Sequence, residues 1–137
     1  MSCQAVIDYA HRYAELAEQM AYQCQDPTRK QELLQIASNC TRVPAKGARN
    51  FYEACQSFWF VQQLIQMESS GHSISPGRFD QYMYPYYKSD MEAGNLTREF
   101  AQELMDCIWV KLNDLNKCRD AASAEGFAGY KIGRAHV

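Results

Sequence analysis

The stretch of the chain that decides its fold reads Gly71-His-Ser-Ile-Ser-Pro-Gly-Arg-Phe-Asp-Gln-Tyr-Met-Tyr-Pro-Tyr-Tyr87. It combines His, Ser, Arg and Asp with four tyrosines, and its glycines and prolines predict an irregular backbone. It follows the nearly all-apolar stretch Phe51–Met67, which predicts a helix buried in a large protein. A polar and aromatic loop anchored by a buried helix is a typical location for a functional site.

Outward from this stretch, helical periodicity dominates the sequence and predicts a mainly α fold without a convincing strand. The first predicted helix covers Ser2–Gln23, and the second begins at Pro27 after the cap Asp26. The third begins at Asn50, with Glu53 as its capping-box partner. A short helix is predicted near Tyr82–Asp90, and a last helix begins at the cap Thr97. The predicted buried face of the first helix consists of Val6, Tyr9, Tyr13, Leu16, Met20 and Cys24.

The composition excludes several classes of protein. A chain of 137 residues with a formal net charge of -2 lacks the basic footprint of nucleic-acid binding. It has no apolar run of the about 18 residues that a membrane span needs, and no secretory signal is visible. The six cysteines lie in or beside helical patterns without a Cys-x-x-Cys pair, which favours buried free thiols and predicts no metal site. We therefore expect a cytoplasmic protein.

The end of the chain differs in character from the rest. Lys131–Val137 is the translation of a string that resembles a common sequencing-library adapter read in frame. We expect residues 131–137 to be a read-through tail and exclude them from the fold. Residues 1–130 are then expected to be a piece of a longer protein.

Three groups of residues resemble the signature of a known family. Gly71–Ser73, Pro76–Tyr82 and Tyr84-Pro85 are similar to motifs of the pyruvate formate-lyase-like glycyl radical enzymes, above all the glycerol/propanediol dehydratase and choline trimethylamine-lyase branches. The resemblance extends to about Tyr130, so it implies a partial domain of that family over residues 1–130. It also implies that these helices are a fragment of the family's ten-stranded α/β barrel.

The sharpest site candidates are His72 and Ser73. An imidazole here is suited to pass a proton to a substrate hydroxyl that leaves as water, and a serine hydroxyl both donates and accepts hydrogen bonds. By residue type alone the favoured interpretation is structural, with His72 ending a helix and Ser73 closing a turn. The resemblance reverses this, because the matching pair contacts the substrate hydroxyls in glycerol-type dehydratases. It also implies, more weakly, that Tyr130 contacts substrate.

Arg78 and Asp80 are expected to have a structural role around this site. They are separated by one residue and can fix the loop through charge-assisted hydrogen bonds. Tyr82, Tyr84, Tyr86 and Tyr87 are predicted to form a packing cluster around Pro85.

The resemblance implies a glycyl radical C–O or C–N lyase of anaerobic metabolism. It implies that the enzyme removes water from a small diol such as glycerol or propane-1,2-diol after a cysteine thiyl radical abstracts hydrogen. It implies a glycyl radical installed by an S-adenosylmethionine iron–sulfur activating enzyme, a polyol or choline as substrate, and a homodimer. Choline trimethylamine-lyase and formate C-acetyltransferase remain alternatives within the family. The isolated chain is expected to be inactive and to bind no cofactor, since it lacks the family's Cys-x-Glu and Arg-Val-x-Gly motifs.

An alternative function of a different class is that the chain is a small helical module that binds another protein. In that case Phe58, Trp59 and Phe60 would form an apolar groove for a partner.

Overall fold

A computed structural model describes residues 3–68 and 74–114 of the chain. These residues form five α-helices, and neither described range contains a strand, which confirms the mainly α prediction. The central helix α3 contacts each of the other four helices. No helix within these ranges is long and apolar enough to cross a membrane. The helices are α1 (Cys3–Gln23), α2 (Pro27–Arg42), α3 (Phe51–Glu68), α4 (Phe79–Glu92) and α5 (Arg98–Asp114).

The three helix starts predicted from capping residues are confirmed. Asp26 Oδ1 accepts a hydrogen bond of 2.9 Å from the backbone N–H of the second residue of α2. Asn50 Oδ1 accepts the N–H of Glu53 at 2.8 Å at the start of α3. Thr97 Oγ1 accepts the N–H of the third residue of α5 at 3.2 Å. Each cap satisfies a backbone donor that the helix itself leaves unpaired.

The predicted buried face of α1 is wrong. Leu16 and Met20 of the predicted stripe are 50% and 46% exposed. Alanines allow two helix backbones to approach closely, and this close contact with α2 decides which face of α1 is covered. The larger apolar side chains consequently lie at the edge of the contact or in solvent. The buried residues of α1 are Ala10, Ala14, Ala17 and Ala21.

Helix α4 begins three residues earlier than predicted, at Phe79, and continues to Glu92. The stretch expected to be irregular is therefore helical over residues 79–87. Pro85 lies inside the helix, where it removes one backbone donor. Ring contacts on both sides of Pro85 compensate: Phe79 meets Phe58 of α3 with ring centroids 4.9 Å apart, and Tyr87 meets the first residue of α3 at 5.7 Å.

Two carboxylates secure the N-terminus of α3. Asp90 of α4 is 9% exposed and its Oδ2 accepts the N–H of Phe51 at 2.7 Å. Glu53 is fully buried, and its Oε2 accepts the N–H of Arg49 at 2.7 Å and lies 3.4 Å from Arg42 Nε. Burial opposes ionisation of Glu53, but the hydrogen bonds from Arg49 and the charge of Arg42 outweigh it and lower its pKa.

We expect Glu53→Gln to destabilise the chain by about 1–2 kcal/mol at neutral pH, because hydrogen bonds to a charged acceptor are stronger than those to a neutral one. The pKa of Glu53 is lower in the folded state than its ordinary value of 4.5. Its contribution is therefore complete above about pH 4.5 and is lost as the pH falls through the lowered value. Urea unfolding at several pH values measures both effects.

The control for this prediction is Glu32→Gln. Glu32 forms an ion pair with Arg29, but both side chains are about half exposed, at 53% and 52%. Exposed pairs contribute at most about 1 kcal/mol, so this variant should unfold nearly like the wild type. If the free energy of unfolding falls with decreasing pH in the same way in Glu53→Gln and in the wild type, the role assigned to Glu53 is wrong.

Candidate active site

The predicted substrate contacts His72 and Ser73 lie outside the described residues, as does Tyr130. Their roles therefore remain predictions. The structure instead shows what flanks the His72-Ser73 pair in sequence. Helix α3 ends at Glu68, residues 74–78 lead into α4, and α4 begins at Phe79.

Residues 74–77, here called the tethered segment, are held by hydrogen bonds from two helices. Gln62 of α3 donates its Nε2–H to the backbone oxygen of Ile74 at 2.9 Å. Tyr82 of α4 donates its hydroxyl to the backbone oxygen of Pro76 at 2.8 Å. Within the segment, Ser75 Oγ accepts the N–H of Gly77 at 3.2 Å, and Gly77 has a φ of 66°, which suits glycine. The chain directly after Ser73 thus has a defined position between α3 and α4.

Arg78 and Asp80 lie at the junction between the tethered segment and α4. Arg78 Nε is 4.0 Å from Asp80 Oδ1, and the side chains are 73% and 78% exposed. An ion pair this exposed contributes little to stability. Asp80 also lies in the first turn of α4, where a negative charge is favourable. The role of the pair in supporting the site stays a prediction.

The tyrosines around Pro85 form separate ring contacts, in addition to that of Tyr87 with the first residue of α3, and Tyr86 packs against the core formed by α3, α4 and α5. Tyr82 stacks edge-on against Phe79 at a centroid distance of 5.6 Å, and Phe79 in turn contacts Phe58 of α3. Tyr84 and Tyr87 form a separate pair at 6.4 Å. The first row of rings runs from the middle of α3 to the tyrosine that holds the tethered segment, so it supports that hydrogen bond by packing.

The cysteines of the described residues differ in exposure. Burial raises the pKa of Cys40 to about 11 and that of Cys55 to about 12, so both stay protonated thiols. Cys3 and Cys107 are exposed, which corrects the expectation of buried thiols, and Cys24 is half-buried. Cys118 lies outside the described residues. Within these ranges no three potential metal-ligating side chains come together.

The residues proposed as a partner groove belong to the interior of the fold. Phe60 is 3% exposed and packs with Ala10 and Cys40, and its ring lies 6.0 Å from that of Tyr9. Phe58 and Trp59 are half-buried against the core formed by α3, α4 and α5. These three side chains therefore hold helices of this chain together, which speaks against the interaction-module interpretation.

The sequence model of the family described as pyruvate formate lyase-like matches residues 1–136 of the chain. The chain belongs to the pyruvate formate lyase-like family. Its relatives in this family are glycyl radical dehydratases and lyases. The resemblance seen in Gly71–Tyr87 is thereby confirmed at the level of the family.

Two solved structures and one curated relative show how similar the chain is to other family members. A structure from Roseburia inulinivorans, concerned with 1,2-propanediol dehydration, is 72% identical with a TM-score of 0.90 and covers 94% of this chain and 15% of its own. The glycerol-bound, B12-independent glycerol dehydratase from Clostridium butyricum is 56% identical with a TM-score of 0.84. This match covers 90% of this chain and 15% of the dehydratase chain. The isethionate sulfite-lyase of Desulfovibrio desulfuricans is 50% identical over 79% of this chain and 13% of its own length.

The chain therefore spans only about one seventh of the length of these pyruvate formate lyase-like relatives. Their TM-scores show that the five helices have the arrangement of a glycyl radical enzyme segment. The sequence-based search for site residues missed Gln62. A pair of glutamines in the otherwise apolar stretch Phe58–Ile65 was the available signal, because a polar side chain at a buried position needs a partner.

Proposed function

We propose that the whole protein containing this chain is a glycyl radical dehydratase that removes water from a small diol such as glycerol or propane-1,2-diol. The observation that carries the proposal is the 72% identity, over 94% of the chain, to the structure concerned with 1,2-propanediol dehydration. The match to a glycerol-bound glycerol dehydratase at 56% supports the same substrate class. A neutral polyol also suits the His-Ser pair, because imidazole and hydroxyl groups recognise hydroxyls by hydrogen bonding.

In this proposal the residues of the chain bind the diol and handle one proton. Ser73 holds one substrate hydroxyl, and His72 donates a hydrogen bond to the hydroxyl that departs. The proton of His72 moves to that oxygen as its bond to carbon breaks, so the product is water rather than hydroxide. The glycyl radical, installed by an S-adenosylmethionine iron–sulfur activating enzyme, would supply hydrogen abstraction from the neighbouring carbon by way of a cysteine thiyl radical, and that cysteine is not among the residues of this chain that we assign to the site.

The remaining residues support this geometry. Tyr130 is proposed as a weaker contact to substrate, and Arg78 with Asp80 as a brace next to the tethered segment. At the level of the whole protein, the proposal includes a cytoplasmic homodimer and a radical-activating enzyme as its protein partner. Membership of the family supports the radical chemistry of the whole protein, whereas the substrate depends on the residues that line the pocket.

Other lyases of the family provide the alternatives. The 50% identity to an isethionate sulfite-lyase shows that the chain also resembles an enzyme named for a different substrate. Choline trimethylamine-lyase and formate C-acetyltransferase are the alternatives that follow from the sequence motif. Each of these reactions releases a different small product, which makes them separable by experiment.

We expect the activated full-length protein to convert glycerol or propane-1,2-diol to the corresponding aldehyde. It should release no trimethylamine from choline and no sulfite from isethionate, because the proposed contacts recognise two neighbouring hydroxyls. The measurement is product formation from each substrate at equal concentration under anaerobic conditions. Sulfite or trimethylamine release faster than aldehyde formation would replace the diol by the corresponding substrate and overturn the proposal.

A further inference from the structure

Helix α1 has two apolar faces, and the described part of the chain buries only one of them. Its four alanines are buried, and α1 packs mainly on α2. The second face, here called the large-residue stripe, runs beside the alanines. Tyr13, Leu16 and Met20 of this stripe are 45%, 50% and 46% exposed, so a row of large apolar side chains faces solvent. The stripe consists of Val6, Tyr9, Tyr13, Leu16 and Met20.

The pattern and the packing of the large-residue stripe suit a contact surface. Its members recur every three or four positions, so they form one continuous face of about 21 Å along the helix. A helix at a protein surface needs only one apolar face. The ring of Tyr13 lies 5.0 Å from that of Tyr9 and 6.2 Å from that of Phe60, which holds it in place before any contact forms. The charged side chains of α1 lie off the stripe, at Asp8, Arg12, Glu15 and Glu18.

The area of the large-residue stripe indicates what kind of partner it fits. A large side chain has about 200 Å² to bury, so its three half-exposed members offer about 300 Å² in total. A stable interface between two separate proteins buries about 800 Å² on each partner. A segment of the same polypeptide needs less area, because it loses no translational freedom on docking. Relatives with this arrangement of helices have such segments available, since this chain covers only 15% of their length.

We propose that the large-residue stripe is an intramolecular docking surface, covered in the whole protein by an apolar segment that lies outside these 137 residues. Helix α1 is then buried on two neighbouring faces, the alanine face by α2 and the stripe by that segment. The charged face stays in solvent, together with Tyr22, which is 86% exposed and lies roughly opposite the stripe. This inference goes beyond the proposed function, because it involves neither the substrate nor the radical.

The first test is oxidative footprinting of the native full-length protein by hydroxyl radicals, read by mass spectrometry. Tyr13 and Tyr22 are a matched pair, because they are the same residue type on the same helix. We expect Tyr13 to react at less than about a tenth of its rate in the urea-denatured protein, since oxidation follows exposure, and Tyr22 to keep most of its rate. Met20 should be protected like Tyr13. A Tyr13 rate near half of the denatured rate, as its 45% exposure predicts, would overturn the proposal. Equal protection of Tyr22 would also overturn it, because the contact would not be confined to the stripe.

The second test identifies the occupant by substitution in the full-length protein. Leu16→Lys places a charge in the contact, so we expect Tyr13 and Met20 to lose their protection while the molecular mass in solution stays that of the wild type. Tyr22→Lys is the control and should change neither.

Leu16→Ala, which only removes part of the contact, replaces Leu16→Lys if that variant folds poorly, and a smaller loss of protection is expected. Protection that is unchanged in both variants would overturn the role of the large-residue stripe. A Leu16→Lys protein of lower molecular mass than the wild type would show that a second copy covers the stripe, and would overturn the intramolecular assignment.

Discussion

Replacing His72 with alanine in the full-length protein should lower kcat by about 10²–10⁴-fold, the usual contribution of a general acid or base. The departing hydroxyl is a poor leaving group without a proton, and alanine supplies none. The glycyl radical should still form, because its installation depends on the activating enzyme. The measurement is steady-state turnover of the diol together with the radical signal, so that a loss of chemistry is separated from a loss of activation.

Ser73→Ala is the companion variant for this prediction. It should cost less than His72→Ala and act mainly on KM, because a hydroxyl contact made equally to substrate and transition state leaves kcat unchanged. A His72→Ala protein with normal radical content and wild-type turnover would contradict the proposed role of His72 as a proton donor. Equal effects of the two variants on kcat would contradict the assignment of proton donation to His72 and of substrate binding to Ser73.

Local features of this fold could be predicted because they depend on neighbouring residues only. The caps at Asp26, Asn50 and Thr97 were found because each is a short polar side chain next to a helical pattern, and its partner lies within three residues. Gly94, which follows α4 closely, has a φ of 72°, a backbone conformation that glycine adopts without strain, so this position too depends on local chemistry. Starts and ends of helices are therefore accessible to a reading of the sequence alone.

The buried face of α1 could not be predicted in the same way. Apolar side chains recur with helical spacing on two faces, one of large residues such as Leu16 and Met20 and one of alanines. Periodicity reports that a helix is amphipathic but not which neighbour it meets. Helix α2 presents a surface that an alanine face approaches closely, and that tertiary contact decided the outcome.

The contacts that α3 makes with residues far along the chain could not be predicted from the sequence either. Gln62 and Ile74 are separated by twelve positions, and Asp90 caps α3 from 39 positions away. Neither pair leaves a local pattern, because their members meet only once α3 and α4 have packed together. The His72-Ser73 pair was found by its resemblance to a family motif, which identifies the residue but not the hydrogen bonds that hold its surroundings.

The chain by itself should be catalytically inert, the largest effect we expect. The family resemblance implies a thiyl cysteine in a Cys-x-Glu context, and none of the six cysteines here has Glu two positions later. Cys40 and Cys55 are 2% and 4% exposed, so substrate does not reach them. The radical glycine motif is missing as well, since Arg42-Val43 is followed by Pro44 and Ala45.

The decisive measurement combines the purified chain with the activating enzyme, S-adenosylmethionine and glycerol under anaerobic conditions. We expect neither aldehyde nor a glycyl radical signal, while the full-length protein under the same conditions gives both. Turnover by the chain above the rate of the activating enzyme alone would mean that one of its thiols other than the buried Cys40 and Cys55 can carry the radical step. Substitution of each by serine would then identify it, because a serine hydroxyl holds its hydrogen too strongly to replace a thiol in that step.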